Sequence, residues 1–233
     1  MRQVVLDTET TGIEISAGNR LVEIGCVEIC ERALSGRRFQ TYLNPDRDSE
    51  PGALAVHGLS TEFLADKPRF ADVVDEFLRF IEGAEILIHN ASFDLGFLNH
   101  ELKLCERSEC WPLEQHHPVL DTLALARERH PGQRNSLDAL CKRYGVDNSG
   151  RHYHGALLDA HLLADVYLAM TAGQGALDLA PVAGASAQLV LTTGGNRQFP
   201  VRMANSEERA IHTQRIAALE KKSGKPSLWQ EWL

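Results

Sequence analysis

Asp7 and Glu9 stand two residues apart at the end of the apolar run Val4-Val5-Leu6, ahead of Thr10-Thr11-Gly12. On an extended backbone both side chains point to the same side. Paired carboxylates at an apolar strand end repel each other unless a cation lies between them. A hard divalent ion, which takes oxygen ligands, meets that need most simply. Taken alone, such a pair is more often an ordinary solvated strand end, but three further residues change the balance. Asp94 falls in the first turn of an expected helix, with apolar Phe97 and Leu98 three and four residues on, which turns its carboxylate toward the core. Asp159 lies in another expected helix and shares its face with Leu163, Val166 and Met170. An inward acid on an apolar stripe is costly unless it is paired or holds a metal. The alternative for either acid is a charge placed to suit the helix dipole. His154 precedes Asp159 by five residues, ~140° apart if one helix carried both. Gly155 intervenes, so the imidazole reaches toward the same place from a loop.

The elements that must position these residues are legible from periodicity. Residues 21–29 and 38–43 read as the second and third strands, joined to the first by short turns as antiparallel neighbours. Residues 46–69 read as irregular. Phe70, Val73, Val74, Phe77, Leu78 and Ile81 follow helical spacing, and Gly83 stands where a C-terminal cap belongs. Residues 85–88 predict a buried strand and His89 to Ser92 a turn, with Ser92 as N-cap of the helix carrying Asp94. Residues 103–118 read as loop and 119–126 as a strand passing into a helix. Ser136 opens another helix that Gly145 closes, and residues 156–171 predict a long helix with an apolar face. Strands alternating with helices, antiparallel strands first, give an α/β fold around a mixed sheet flanked by helices.

At 233 residues and 43% hydrophobic content the chain can bury a sizeable core, and no stretch is apolar for long enough to span a membrane. The first strand begins at once, leaving no room for a signal peptide. The five cysteines include no Cys-x-x-Cys pair, which predicts reduced core residues of a cytoplasmic protein. A net charge of −8 argues against holding long nucleic acid by overall field, but not against binding a few nucleotides in a metal-filled pocket.

Asp7-x-Glu9, then His89-Asn90-x-x-Phe93-Asp94, then His154 and Asp159 resemble the three motifs of the DEDDh 3′→5′ exonucleases. The similarity spans residues 3–172, includes Val56-His57-Gly58 and the run from Asn135 to Leu140, and is greatest to the proofreading epsilon type of bacterial DNA polymerase III. The resemblance implies a ribonuclease-H-like fold and two divalent ions, Mg²⁺ or Mn²⁺. By the family pattern Asp7, Glu9 and Asp159 hold one ion, Asp7 bridges to the second, and Asp94 completes the site mainly through water. His154 would be the general base. In-line attack on a phosphodiester needs an activated water and a stabilised leaving oxygen, which two ions supply. An imidazole with an ordinary pKa of ~6.5 suits the proton transfer at neutral pH. Substrate contacts are expected from Asp7, Glu9, Asp159 and His89. Thr8 and Thr10 would donate to the terminal 3′-hydroxyl or phosphate, His57 would touch the terminal nucleotide, and Phe93 and Leu59 would stack or wedge against bases. Where relatives often carry Glu after the proline of this loop, Gly52 follows Pro51.

The composition shifts to Gly, Ala and Pro from residue 173. The expected organisation is an exonuclease domain at 1–172, a flexible linker at 173–187 and a tail at 188–233. Gln174, Leu177 and Leu179 resemble the short peptides that bind the bacterial sliding clamp, and residues 188–191 are a poorer candidate. Residues 205–222 read as a helix with acids first and lysines last. Leu228, Trp229 and Trp232 end the chain, and tryptophan is a common interface anchor. The resemblance implies that this tail docks on the alpha (polymerase) subunit, with a small theta-like subunit as a further partner and DNA 3′ ends as substrate. Two other readings are an exoribonuclease trimming RNA 3′ ends and a mainly structural polymerase–clamp bridge. RNA-trimming relatives generally end soon after the third motif, and the full acidic set with His154 argues against a dead enzyme.

Overall fold

Val4, Val5 and Leu6 are apolar and largely β-branched, which suits a strand covered on both faces, and they run through the middle of the sheet. The computed structural model describes residues 1–150, 153–172 and 204–224. The chain divides into two units, Met1–Asp178 and Leu179–Leu233. The first begins with β1 (Arg2–Thr10), β2 (Leu21–Cys30) and β3 (Ala33–Tyr42), followed by α1 (Pro51–His57), α2 (Thr61–Leu64) and α3 (Phe70–Ile81). It continues through β4 (Glu85–Ile88), α4 (Ala91–Leu104), α5 (Leu113–His116), β5 (Val119–Asp121), α6 (Thr122–Arg129), α7 (Leu137–Tyr144) and α8 (Ala156–Thr171). The five strands lie in the order β3-β2-β1-β4-β5. β1 is antiparallel to β2 and parallel to β4, so the sheet is mixed.

Side chains alternate across a strand, and β1 feeds two cores. Val4 and Leu6 pack with Val74 and Phe77 of α3 and Phe97 and Leu98 of α4. Val5 packs on the other face with Leu140 of α7 and Leu163 and Val166 of α8. Burying each such side chain contributes about 1.5–3 kcal/mol. The same alternation sends Asp7 and Glu9 toward α8 and Thr8 toward α4.

Several local features differ from the sequence reading. β3 starts at Ala33, because Glu31 (φ 49) and Arg32 (φ 64) make a tight two-residue hairpin turn with both residues left-handed. Residues 46–69 hold two short helices, the first opened by Pro51 and ended by Gly58 at φ 71. The loop expected at 103–118 contains the end of α4 and all of α5. The N-cap of α4 is Asn90 and not Ser92, with φ 70, a conformation that asparagine tolerates better than most residues. Cys26 and Cys141 are buried, while Cys30, Cys105 and Cys110 are only partly so, and all are free thiols.

In the second unit, α9 (Ser206–Ser223) is capped reciprocally. The Glu208 amide donates to Asn205 Oδ1 at 2.8 Å, and the Asn205 amide donates to Glu208 Oε2 at 2.9 Å. Gly224 closes it at φ 65. Gln174, Leu177, Leu179, Leu228, Trp229 and Trp232 lie outside the described residues. Among the described residues, no helix is long and apolar enough to cross a membrane.

Candidate active site

β1, α4 and α8 converge on one cleft of about 210 Å³, whose walls include Asp7, Glu9, Asp94, His154 and Asp159. The two β1 acids arrive from the strand. Asp159 comes from the first turn of α8, where its amide donates to Gly155 O at 2.9 Å, and it is 3% exposed. Gly155 is extended (φ −149, ψ 128), so the chain turns sharply between His154 and the helix. That turn brings His154 Nδ1 to 3.2 Å from Asp159 Oδ2. The loop is held from below by α1. The His154 amide donates to Val56 O at 3.0 Å, and the Tyr153 ring covers Gly58.

Asp94 sits in the first turn of α4 and is 4% exposed. Thr8 Oγ1 donates to its Oδ1 at 2.6 Å. Burial pushes the Asp94 carboxyl up to about 7, with the Thr8 hydrogen bond pulling the other way. Glu9, His154 and Asp159 each offer a ligand atom within 4.8 Å of the others. Among the described residues this is the one such group. The group itself holds two carboxylates and an imidazole, and Asp7 and Asp94 line the same cleft outside it. Carboxylate donors converging on one cleft fit a hard divalent ion.

A second cleft, of about 290 Å³, adjoins the first, and Thr8, Glu9 and Phe93 line both. Its far wall is α1, with Gly52, Val56 and His57. His57 is 4% exposed. Its Nδ1 accepts the Leu59 amide at 2.9 Å, so the hydrogen of the neutral ring is on Nε2. Nε2 is buried without a hydrogen bond of normal geometry. Burial holds this ring below the ordinary histidine range, with the Thr10 main chain offsetting part of the effect. The ring walls an apolar slot, with its one N–H buried beside the Thr10 main chain.

Other expected contacts fall differently. Thr8 and Thr10 spend their hydroxyl hydrogens on Asp94 Oδ1 and on Gly12 O (2.7 Å), so neither donates outward without breaking a bond. His89 lines the metal cleft, but its ring faces Thr122 Oγ1 at 3.0 Å and Asn135 O at 2.9 Å. Leu59 is partly buried and lies beside His57, while Phe93 packs on Phe97 with ring centroids 5.1 Å apart. Two β2 residues that sequence reasoning passed over, Glu23 and Gly25, seat the start of α8. The signal available was an acid and a glycine inside an apolar strand.

Residues 4–167 match the family model described as exonuclease, of the RNase T type. The chain is 49% identical to the DNA polymerase III subunit epsilon of Salmonella typhimurium over 240 residues, 98% of this chain and 97% of that protein. Among solved structures it resembles Exonuclease X in complex with 5′-overhanging duplex DNA, with a TM-score of 0.56 and 26% identity over 74% of this chain and 93% of that one. It also shares the fold of the zinc-bound Escherichia coli ExoI–ssDNA complex, with a TM-score of 0.63 and 19% identity over 74% of this chain and 41% of that one.

Proposed function

The chain belongs to the exonuclease family as a proofreading 3′→5′ exonuclease of the DNA polymerase III epsilon type, and from that premise we propose which of its residues carry the reaction. Asp7, Glu9, Asp94 and Asp159 hold two divalent ions, Mg²⁺ or Mn²⁺. When bound, such a pair supplies Lewis acidity to the phosphate and to the attacking and leaving oxygens. His154 turns its Nδ1 toward the Asp159 carboxylate, and its Nε2 would take the proton of the attacking water. The Asp159 carboxylate then steadies the imidazolium. The water oxygen joins phosphorus, the bond from phosphorus to the 3′ oxygen breaks, and the terminal nucleotide leaves as a 5′-monophosphate. The convergence of Glu9, His154 and Asp159 within 4.8 Å beside buried Asp94 is the observation that carries this reading.

The terminal nucleotide occupies the second cleft, where His57 contacts it and Phe93 borders its base. Gln174, Leu177 and Leu179 bind the sliding clamp, and Leu228, Trp229 and Trp232 dock on the polymerase subunit, with a small theta-like subunit as a further partner. These partners go with a domain at 1–172, a linker at 173–187 and a tail at 188–233, working in the cytoplasm at the replication fork. The alignment with an epsilon subunit over 98% of this chain supports the tail's assignment.

Hydrolysis of a 5′-labelled primer–template with a 3′ mismatch, in Mg²⁺, tests the site. Stepwise shortening of DNA that is lost in Asp7→Ala and slower on a matching RNA primer is expected. Shortening by Asp7→Ala at the wild-type rate would overturn the assignment.

A further inference from the structure

Glu23 and Gly25 on β2 are the register partners of Glu9 and Asp7 on β1. Residues directly opposite on antiparallel strands present their side chains to the same face. Both β2 positions therefore face α8, beside the two acids of the cleft. The N-cap of α8 is Gly155, which has no side chain to cap the first turn. A helix start leaves amides without intrahelical partners, and here Glu23 supplies the acceptor from the sheet. The Ala156 amide donates to Glu23 Oε2 at 3.0 Å, and the Leu157 amide adds to the same carboxylate. Gln40 Nε2 fixes the other oxygen at 2.8 Å and also reaches Tyr42 Oη at 3.2 Å. Gly25 completes the seat. A Cβ there would fall 2.2 Å from Ala156 C and Leu157 N, so the first turn of α8 lies directly on the β2 backbone.

We propose that Glu23 is a positioning residue for the exonuclease reaction: its buried carboxylate caps α8 from the sheet and so sets Asp159 and His154 against Glu9 and Asp7. This rests on the site assignment above. A side-chain cap from residue 155 itself would accept the Leu157 or Leu158 amide and leave the Ala156 amide to the sheet. It would not tie the turn to the strand in register with β1, and that tie is what fixes the spacing across the cleft.

The variants Glu23→Ala, Glu23→Gln, Gly155→Ser and the double variant Glu23→Ala/Gly155→Ser separate the two roles, with Asp7→Ala as control. Gly155 has an extended backbone that serine adopts, and a Cβ there would stand 3.8 Å from Glu23 Oε2, an ordinary contact. Serine is a good N-cap. Melting temperature, Mn²⁺ affinity by calorimetry, and kcat and KM on the mismatched primer are measured. Because a misplacement of about 1 Å costs on the order of 10²-fold, Glu23→Ala is expected to lose roughly 10–100-fold in kcat with little change in KM, and to bind Mn²⁺ more weakly. Glu23→Gln is expected to recover most of the rate. The introduced amide oxygen accepts the α8 amides while its NH₂ turns to Gln40, whose own amide flips so that its oxygen accepts from that NH₂ and from the Tyr42 hydroxyl. The double variant is expected to regain melting temperature and remain slow, and it carries the test if Glu23→Ala does not fold. Recovery of kcat along with stability in the double variant, or wild-type kcat in folded Glu23→Ala, would overturn the proposal. Wild-type activity in Asp7→Ala would instead overturn the site assignment on which it rests.

Discussion

His154 Nδ1 lies 3.2 Å from Asp159 Oδ2, although one residue sits in a loop and the other inside a helix. The pair joins a buried acid to an imidazole that keeps 45% of its side chain exposed. One partner is thus placed to hold a cation, and the other remains open to solvent water.

His154→Ala removes the proton acceptor and leaves the four acids in place. The expected result is a fall in kcat of about 10²–10⁴-fold, the usual worth of a general base. Mn²⁺ affinity and primer affinity should change by a few-fold at most. A near-normal kcat would remove His154 from the mechanism.

Asp94 predicts a proton linked to metal binding. Its carboxyl is raised from 3.8 to about 7 in the metal-free fold. The native state therefore holds a proton there that the unfolded chain has already lost. The stability from this group is present below pH ~4 and lost as pH rises through about 7. A metal needs the ionised form, so Mg²⁺ affinity should tighten as pH rises from 6 to 8. Calorimetry at pH 6.5 in two buffers of different ionisation enthalpy should detect proton release, and Asp94→Asn should abolish it. Equal heats in both buffers with the wild-type protein would contradict this linkage.

His57 walls the second cleft and is proposed to contact the terminal nucleotide there, so its loss should act on binding more than on chemistry. A net hydrogen bond of about 1 kcal/mol corresponds to roughly five-fold. His57→Ala is expected to raise KM for the primer by about that factor with kcat largely retained. A selective fall in kcat would place His57 among the residues that act on the reaction itself.

Arg20 and Glu101 tie the start of β2 to α4 through two hydrogen bonds of 2.6 and 2.7 Å, with the glutamate 1% exposed. Arg20→Ala leaves a buried carboxylate without its partner. It should cost about 3 kcal/mol, the low end for breaking a buried pair, because the arginine is itself partly exposed. The urea midpoint should fall with an unchanged slope. Arg20→Met with Glu101→Leu should recover most of the loss.

The helices and strands with one strong periodicity were legible in the sequence. α3 shows its apolar face at helical spacing, and β1 shows its run into two acids. α8 shows a long run of helix-forming apolar residues that is buried nearly all round and not along the single apolar face expected. The shorter elements were hidden for physical reasons. α2 is only four residues long, too short to display a period. The hairpin at Glu31-Arg32 uses residues that rarely signal positive φ. Thr8 and Thr10 show the opposite failure. Their types suggested outward donors, and only folding revealed that each hydroxyl already had an acceptor.

The sequence by itself determined the chemistry. Carboxylates and an imidazole keep their affinity for divalent ions and protons wherever they are placed, and alternation along β1 already put Asp7 and Glu9 on one side. Tertiary structure alone decided that Glu23 stands opposite Glu9 and holds the first turn of α8. Register across a sheet and the packing of a distant helix arise from contacts among many residues at once, and no spacing along one chain segment encodes them.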